Sequence, residues 1–296
     1  MPIDLLPLHP LFVAEADGFP LDRALNDSER QELEDALDSF AVLVFRDQNL
    51  SPKAQMHFTR SLGSIDMGLL KVLRNHTTSE NAGLIAISNV DSDDSLIERS
   101  DARMMALYAN QLWHSDSSFK KPSAKYSLLF AMEVPADEGD TEFADMRAAY
   151  EGLSYSRRAE LQGLEAEHSA FFSRMQLGDL QYKPDDLEKY PSVWWPLVRD
   201  HPASGRSSLF IGAHAMGVTG RTTPEGRLLL SELLEHATQK EYVYQHKWRK
   251  GDFVIWDNRS VLHRGRSYDL SRRPVSYTHL RAHETDSYLV CRLLLE

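Results

Sequence analysis

Three short apolar runs most restrict the fold open to this chain: Ala41-Val42-Leu43-Val44-Phe45, residues 126–134, and Phe253-Val254-Ile255-Trp256. Each is rich in β-branched, leucine or aromatic residues, and each reads as a buried strand. Helix signals lie between them. Asn26-Asp27-Ser28 offers caps before Leu33, Ala36, Leu37 and Phe40, which repeat at helical spacing. Ser51-Pro52 and Thr223-Pro224 have the proline that favours a first helical turn. Gly139-Asp140-Thr141 turns into Glu142-Phe143, and Asp145 is placed to cap a helix starting near Met146. The polar turns within residues 61–110 read as loops around short strands, while Asp257-Asn258-Arg259 closes the last apolar run. With no internal repeat and no Pro/Gly/Ser-rich linker, the expected architecture is one domain. It is mostly β with flanking helices, and a double-stranded β-helix (jelly-roll) core is preferred.

Charge and cysteine content narrow the function classes. The 296 residues carry 33 Lys and Arg against 44 Asp and Glu, a formal charge of −11. No segment concentrates cations as a nucleic-acid footprint does, so no nucleic-acid partner is expected. An acidic balance still allows an anionic substrate, because a few buried cations dominate a local site. No run approaches the roughly 18 apolar residues of a spanning helix, so no membrane partner is expected. Residues 1–20 lack the basic and apolar regions of a signal peptide. The one cysteine, Cys291, rules out an intrachain disulfide. These features point to a cytoplasmic enzyme, and a homo-oligomer is compatible with them.

Trp113-His114-Ser115-Asp116 carries the first chemical signal. On a strand, period-two spacing places His114 and Asp116 on one face. Imidazole nitrogen and carboxylate oxygen suit Fe(II), and one more histidine completes a facial triad with three open positions. His-x-Asp also occurs as a structural pair, so the spacing alone does not establish a metal. His263, before Arg264 and Gly265, is the preferred third ligand. His168, His201, His214, His236 and His246 compete by composition alone. The helical pattern around His236, and Lys247-Trp248-Arg249 beside His246, favour surface or hydrogen-bonding roles for those two.

Larger motifs then add a family. Asn110-Gln111-Leu112-Trp113-His114-Ser115-Asp116-Ser117-Ser118-Phe119 resembles the iron-binding segment of the taurine and 2,4-dichlorophenoxyacetate dioxygenase family. The likeness extends from Pro7-Leu8-His9-Pro10-Leu11-Phe12 through Gly139-Asp140-Thr141-Glu142-Phe143 and Leu209-Phe210-Ile211-Gly212-Ala213-His214-Ala215. It continues through Leu233-Leu234-Glu235-His236-Ala237-Thr238 and Trp256-Asp257-Asn258-Arg259 to Leu262-His263-Arg264-Gly265-Arg266. The resemblance implies a double-stranded β-helix, Fe(II) and the cosubstrate 2-oxoglutarate, with O2 and a small organic acid as reactants. His114, Asp116 and His263 match the family's iron ligands. Thr141 matches a residue whose hydroxyl helps hold the distal carboxylate of 2-oxoglutarate. Lys71 matches a residue implicated in recognising a substrate carboxylate, and Asn110 and His214 are further substrate-side candidates.

The expected reaction is hydroxylation next to the ether oxygen of an aryloxyalkanoate, giving a phenol and an oxoacid such as glyoxylate. Alternatives are a dioxygenase acting on a sulfonate or another small acid, a noncatalytic β-helix binding module, or an inactive iron-binding chimera.

The last alternative arises at the C-terminus. Residues 275–296, VSYTHLRAHETDSYLVCRLLLE, resemble the conceptual translation of a transposase-type sequencing adapter. The expected organisation is therefore a dioxygenase domain over residues 1–274 and a non-native tail over 275–296. The family's main 2-oxoglutarate anchor is an arginine eleven residues beyond the last histidine, where this chain has Pro274. Adapter bases would supply the last two positions of that codon and leave only its first base, C, native. Codons beginning with C include arginine codons. Arg273 is the neighbouring cosubstrate candidate, although adjacent side chains on a strand point to different faces.

Overall fold

A computed structural model describes residues 2–66, 83–88, 96, 98, 102–135, 138–180, 184–269 and 276–283. The strand and helix signals outside residues 61–110 recur in it with small boundary shifts, whereas Ala102–Ala109, within the stretch read as loops around short strands, forms a helix. Helix α1 (Asp27–Phe40) starts at Asn26, whose side chain accepts from the Glu29 N–H while Glu29 reaches back to the Asn26 N–H. That reciprocal pair satisfies two N-terminal donors, and Leu33, Ala36 and Leu37 face the core. Helix α2 (Pro52–Leu62) is capped by the Ser51 hydroxyl, and Pro52 occupies its first turn.

Fifteen strands form four sheets among the described residues. The largest contains β1 (Asp4–His9), β2 (Val13–Asp17), β3 (Val42–Phe45), β4 (Ile85–Ser88) and β5 (Ala124–Glu133). The next strands in the chain, β6 (Thr141–Asp145), β7 (Glu165–His168), β8 (Val193–Pro196), β9 (Val198–Asp200), β10 (Ser207–Leu209) and β11 (Ala215–Val218), lie outside it. They are followed by β12 (Val243–His246), β13 (Phe253–Asp257), β14 (Val261–Gly265) and β15 (Ser276–His283). The seven-stranded sheet runs β1-β2-β3-β13-β5-β15-β4. Three smaller sheets run β10-β9, β11-β7-β8 and β12-β6-β14.

This arrangement corrects the expected jelly roll. The fold is mixed α/β with several open sheets, and no closed double-stranded β-helix is present among the described residues. Its large sheet ends in two edge strands, β1 and β4, that do not pair with each other. A parallel β2–β3 pair breaks the antiparallel pattern of a simple barrel. Apolar strand runs reveal which residues are buried, but they do not reveal whether a sheet closes.

The core strands pack as their composition demands. β13 lies between β3 and β5, and all five of its residues are buried. Phe45, Phe58, Phe130 and Phe253 meet there in tilted and edge-to-face pairs. β15 pairs with both β5 and β4, burying Tyr277, Leu280 and Ala282. Its eight residues belong to the adapter-like segment. Buried side chains and backbone pairing on both edges suffice to add a strand, whatever the origin of its sequence.

Candidate metal centre

The two histidines separated by about half the chain are joined by their backbones. His114 N–H donates to the His263 carbonyl at 3.0 Å, and His263 N–H donates to the His114 carbonyl at 2.9 Å. This reciprocal bridge sets the rings opposite one another, 4.2 Å between centroids. His263 lies within β14 and is held by the β14–β6 register, in which it faces Phe143. His114 lies in no continuous strand, which corrects the period-two reading of His114 and Asp116. Ser117 adopts a left-handed φ of 54°, and its hydroxyl donates to Asp66 at 2.5 Å, so the chain turns immediately after Asp116.

Gly212 covers this segment from behind. Its φ is +119°, and a Cβ there would lie 3.0 Å from the Trp113 carbonyl oxygen and 3.4 Å from His114 Cα. Ala213 N–H donates to the same Trp113 carbonyl at 2.8 Å. Glycine is required because both the backbone angle and the close approach disfavour a side chain.

The ligand atoms of His114, Asp116 and His263 all lie within 4.8 Å of one another, and all three residues are buried. His114 Nδ1 contacts the Leu112 carbonyl at 2.7 Å. A carbonyl only accepts, so Nδ1 carries the hydrogen and Nε2 keeps its lone pair for a metal. Burial lowers the pKa of His114. Burial first, and the neighbouring His114 second, push His263 well below the ordinary histidine range. Both rings are therefore neutral donors at pH 7. Burial works to raise the Asp116 pKa, but the charges of His279 and Arg281 hold it well below the usual carboxylate value. Two neutral imidazoles and one carboxylate fit a divalent iron with positions left for exogenous ligands.

Asp116 is itself closely held. Ser127 Oγ donates to its Oδ2 at 2.6 Å, and its N–H donates to Asn258 Oδ1 at 3.2 Å. His279 Nε2 lies 3.2 Å from Oδ2, and Arg281 reaches Oδ1 at 3.5 Å. Ser127, Asn258, His279 and Arg281 escaped the sequence reading because none lies in a metal-ligand spacing. Only the Trp256-Asp257-Asn258-Arg259 motif marked one of them.

The other candidates separate clearly. Thr141 is buried on β6 opposite Gly265, and its Oγ1 accepts from Trp248 Nε1 at 3.0 Å. Period-two alternation puts it on the same face as Phe143, whose ring lies 6.2 Å from that of His263. Trp248 was missed because its tie to Thr141 spans 107 residues. His214 is buried, with its ring 6.3 Å from His114 and 4.8 Å from Phe119. Burial, reinforced by His114, lowers its pKa to about 3. Asn110 contributes its carbonyl, which accepts from the Gly265 N–H at 2.9 Å. Lys71, Arg273 and Pro274 lie outside the described residues.

The competing histidines have separate partners. His236 contacts the Ala149 carbonyl at 2.8 Å, and His246 contacts Asp252 at 3.1 Å. His246 is fully buried, so a surface role is excluded for it. His201 contacts Asp257 at 2.9 Å. With Asp38 it forms a second cluster of ligand atoms, but Arg259 already reaches both carboxylates.

His168 is buried against Phe210 and contacts Ser118 at 3.1 Å. Burial lowers its pKa to about 4. Between about pH 6.5 and 4 the unfolded chain binds a proton at this position that the folded chain does not. Stability therefore falls as pH falls through that window. The shift corresponds to about 3 kcal/mol once pH 4 is reached. His168→Phe keeps the ring contact and should flatten the pH dependence of urea midpoints by a similar amount. Parallel profiles for the two proteins would refute this assignment.

A buried pair of histidines and one carboxylate supply the ligand set of a mononuclear Fe(II) dioxygenase centre. Comparison with known proteins agrees. The family model for the taurine catabolism dioxygenase TauD, TfdA family matches residues 4–282. An alpha-ketoglutarate-dependent 2,4-dichlorophenoxyacetate dioxygenase from Cupriavidus pinatubonensis is 51% identical over 267 residues, covering 90% of this chain and 93% of that protein. An (S)-phenoxypropionate/alpha-ketoglutarate-dioxygenase from Sphingobium herbicidovorans is 36% identical, covering 93% of each. The crystal structure of AAD-2 in complex with Mn(II) and N-oxalylglycine superposes with a TM-score of 0.87 at 39% identity, over 96% of this chain and 98% of that one. The chain belongs to the TauD, TfdA family, and its enzyme class is Fe(II)- and 2-oxoglutarate-dependent dioxygenase.

Proposed function

We propose that the native enzyme couples oxidative decarboxylation of 2-oxoglutarate to hydroxylation of an aryloxyalkanoate, with phenoxyacetates favoured over branched phenoxypropionates. The buried centre of His114, Asp116 and His263 is the observation that carries this reading. Similarity to the two aryloxy-acid dioxygenases supports the substrate class. Iron held by the three residues would supply oxygen activation, with O2 and 2-oxoglutarate consumed together and succinate and CO2 released. Thr141 accepts from Trp248, so its own hydroxyl hydrogen is free to meet the distal carboxylate of 2-oxoglutarate. Phe119 and neutral His214 place an aromatic edge beside His114, suited to an aryl ring. Lys71 is assigned to the substrate carboxylate by its match to the family, and Asn110 to seating the end of β14. Hydroxylation of the carbon beside the ether oxygen gives a hemiacetal, which splits into the phenol and glyoxylate.

We also assign residues 1–274 to one dioxygenase domain and residues 275–296 to a foreign tail, of which Ser276–His283 form β15. Among the described residues, no helix is long and apolar enough to cross a membrane. A cytoplasmic location without a nucleic-acid partner suits the acidic composition and single cysteine. The decisive assay restores a family-type C-terminus and offers a panel of aryloxy acids with Fe(II), 2-oxoglutarate and O2. Equal yields of succinate and phenol are expected from phenoxyacetates. Succinate without phenol from every aryl ether would remove the substrate assignment and leave the metal centre intact.

A further inference from the structure

We propose that Ser127 and Asn258 form a directed hydrogen-bond relay that positions Asp116 for metal binding. The inference rests on the reading of Asp116 as a ligand. Asn258 is 2% exposed, and its Oδ1 faces two donors, the Asp116 N–H and Trp256 Nε1–H, each at 3.2 Å. An oxygen must meet two N–H groups, so the orientation of the amide is fixed, and Nδ2 points the other way. There it donates to Ser127 Oγ at 2.8 Å. Ser127 is fully buried and has one hydroxyl hydrogen. Its oxygen already receives the Asn258 hydrogen, so that single hydrogen goes to Asp116 Oδ2, 2.6 Å away. The chain of bonds can run in one direction only.

The same asparagine grips the segment from the other side. Ser115 Oγ donates to the Asn258 carbonyl at 2.9 Å. Asn258 therefore holds the Ser115 side chain and the Asp116 N–H, and Ser127 fixes the carboxylate itself. Oδ2 is the oxygen that faces His263, 3.7 Å from its Nε2, so the relay acts on the oxygen turned towards the other ligands. His279 and Arg281 also touch Asp116, but they stand on the adapter-like strand. Ser127 on β5 and Asn258 after β13 lie outside it. Removing such an outer partner frees the carboxylate to rotate and lowers metal affinity, in general by about 10- to 100-fold.

The test uses the full chain and Co(II), whose visible absorption reports both affinity and ligand geometry. Ser127→Ala should weaken Co(II) binding about 10-fold and alter the absorption band, while metal-free thermal unfolding still shows one cooperative transition. Ser127→Thr, which keeps the hydroxyl, should stay within about threefold of the unsubstituted protein. Asn258→Ala leaves the hydroxyl but removes its director, and should weaken binding similarly. It also supplies the test if Ser127→Ala does not fold. The double variant should bind no worse than the weaker single one, because both changes break one relay. Unchanged affinity in Ser127→Ala, or losses that add fully in the double variant, would overturn the relay. Failure of the unsubstituted protein to bind Co(II) would overturn the ligand reading as well, so the two failures are distinguishable.

Discussion

Asp116→Asn is expected to abolish stoichiometric metal retention and to lower turnover in the C-terminally restored enzyme by about 10³-fold or more. The carboxylate is the only anionic member of a ligand set whose other two members are neutral imidazoles. Replacing it with an amide removes the charge that balances a divalent ion in a buried site. The guanidinium of Arg281 then faces the centre without its counter-ion. Losing several kcal/mol of metal-supplied stabilisation corresponds to a rate loss of roughly that size. The substitution also breaks a buried charge cluster, which by itself destabilises the fold. His263→Ala is the control, since it removes a ligand without touching Asp116. Both variants should show no Co(II) band and no bound iron by elemental analysis. One equivalent of tightly bound metal in Asp116→Asn would place the centre elsewhere.

What the sequence disclosed about this centre follows from the range over which each signal acts. The Asn26 cap, the α1 face of Leu33 and Leu37, and the Asp145 cap before Met146 all work within a few residues, and all appear in the structure. The identities of His114, Asp116 and His263 were legible because their family motifs lie in contiguous segments. Their juxtaposition was legible through the family resemblance, but the backbone bridge across 149 residues that produces it was not. Ser127 and Asn258 illustrate the same limit. A buried serine in a strand looks like any other small residue until a partner 131 residues away gives its hydroxyl a direction. Sheet closure was misjudged for a related reason. Apolar runs such as Ala41–Phe45 specify burial, whereas the free edges at β1 and β4 depend on which strands find one another.

Introducing arginine by Pro274→Arg is expected to tighten 2-oxoglutarate binding by about 10- to 100-fold. An arginine offers two parallel N–H donors to a carboxylate, whereas proline offers neither a side-chain donor nor a backbone N–H. Hydrogen bonds to a charged partner contribute about 1.5–3 kcal/mol, which sets the expected range. Thr141 cannot replace that contribution, since a single hydroxyl supplies one neutral donor and no positive charge. Position 274 is two residues before β15, the strand that runs beside β5 and brings its side chains to Asp116. An arginine supplied just ahead of that strand lies eleven residues beyond His263, at the spacing of the family anchor. Anaerobic calorimetry with Mn(II) in place of iron measures the affinity without turnover. Arg273→Ala in the Pro274 background tests whether Arg273 substitutes through a shifted register. If it does, that variant loses the residual affinity and Pro274→Arg gains little. Equal 2-oxoglutarate affinity before and after Pro274→Arg, with no loss in Arg273→Ala, would leave the carboxylate with an anchor outside this segment and refute the assignment of position 274.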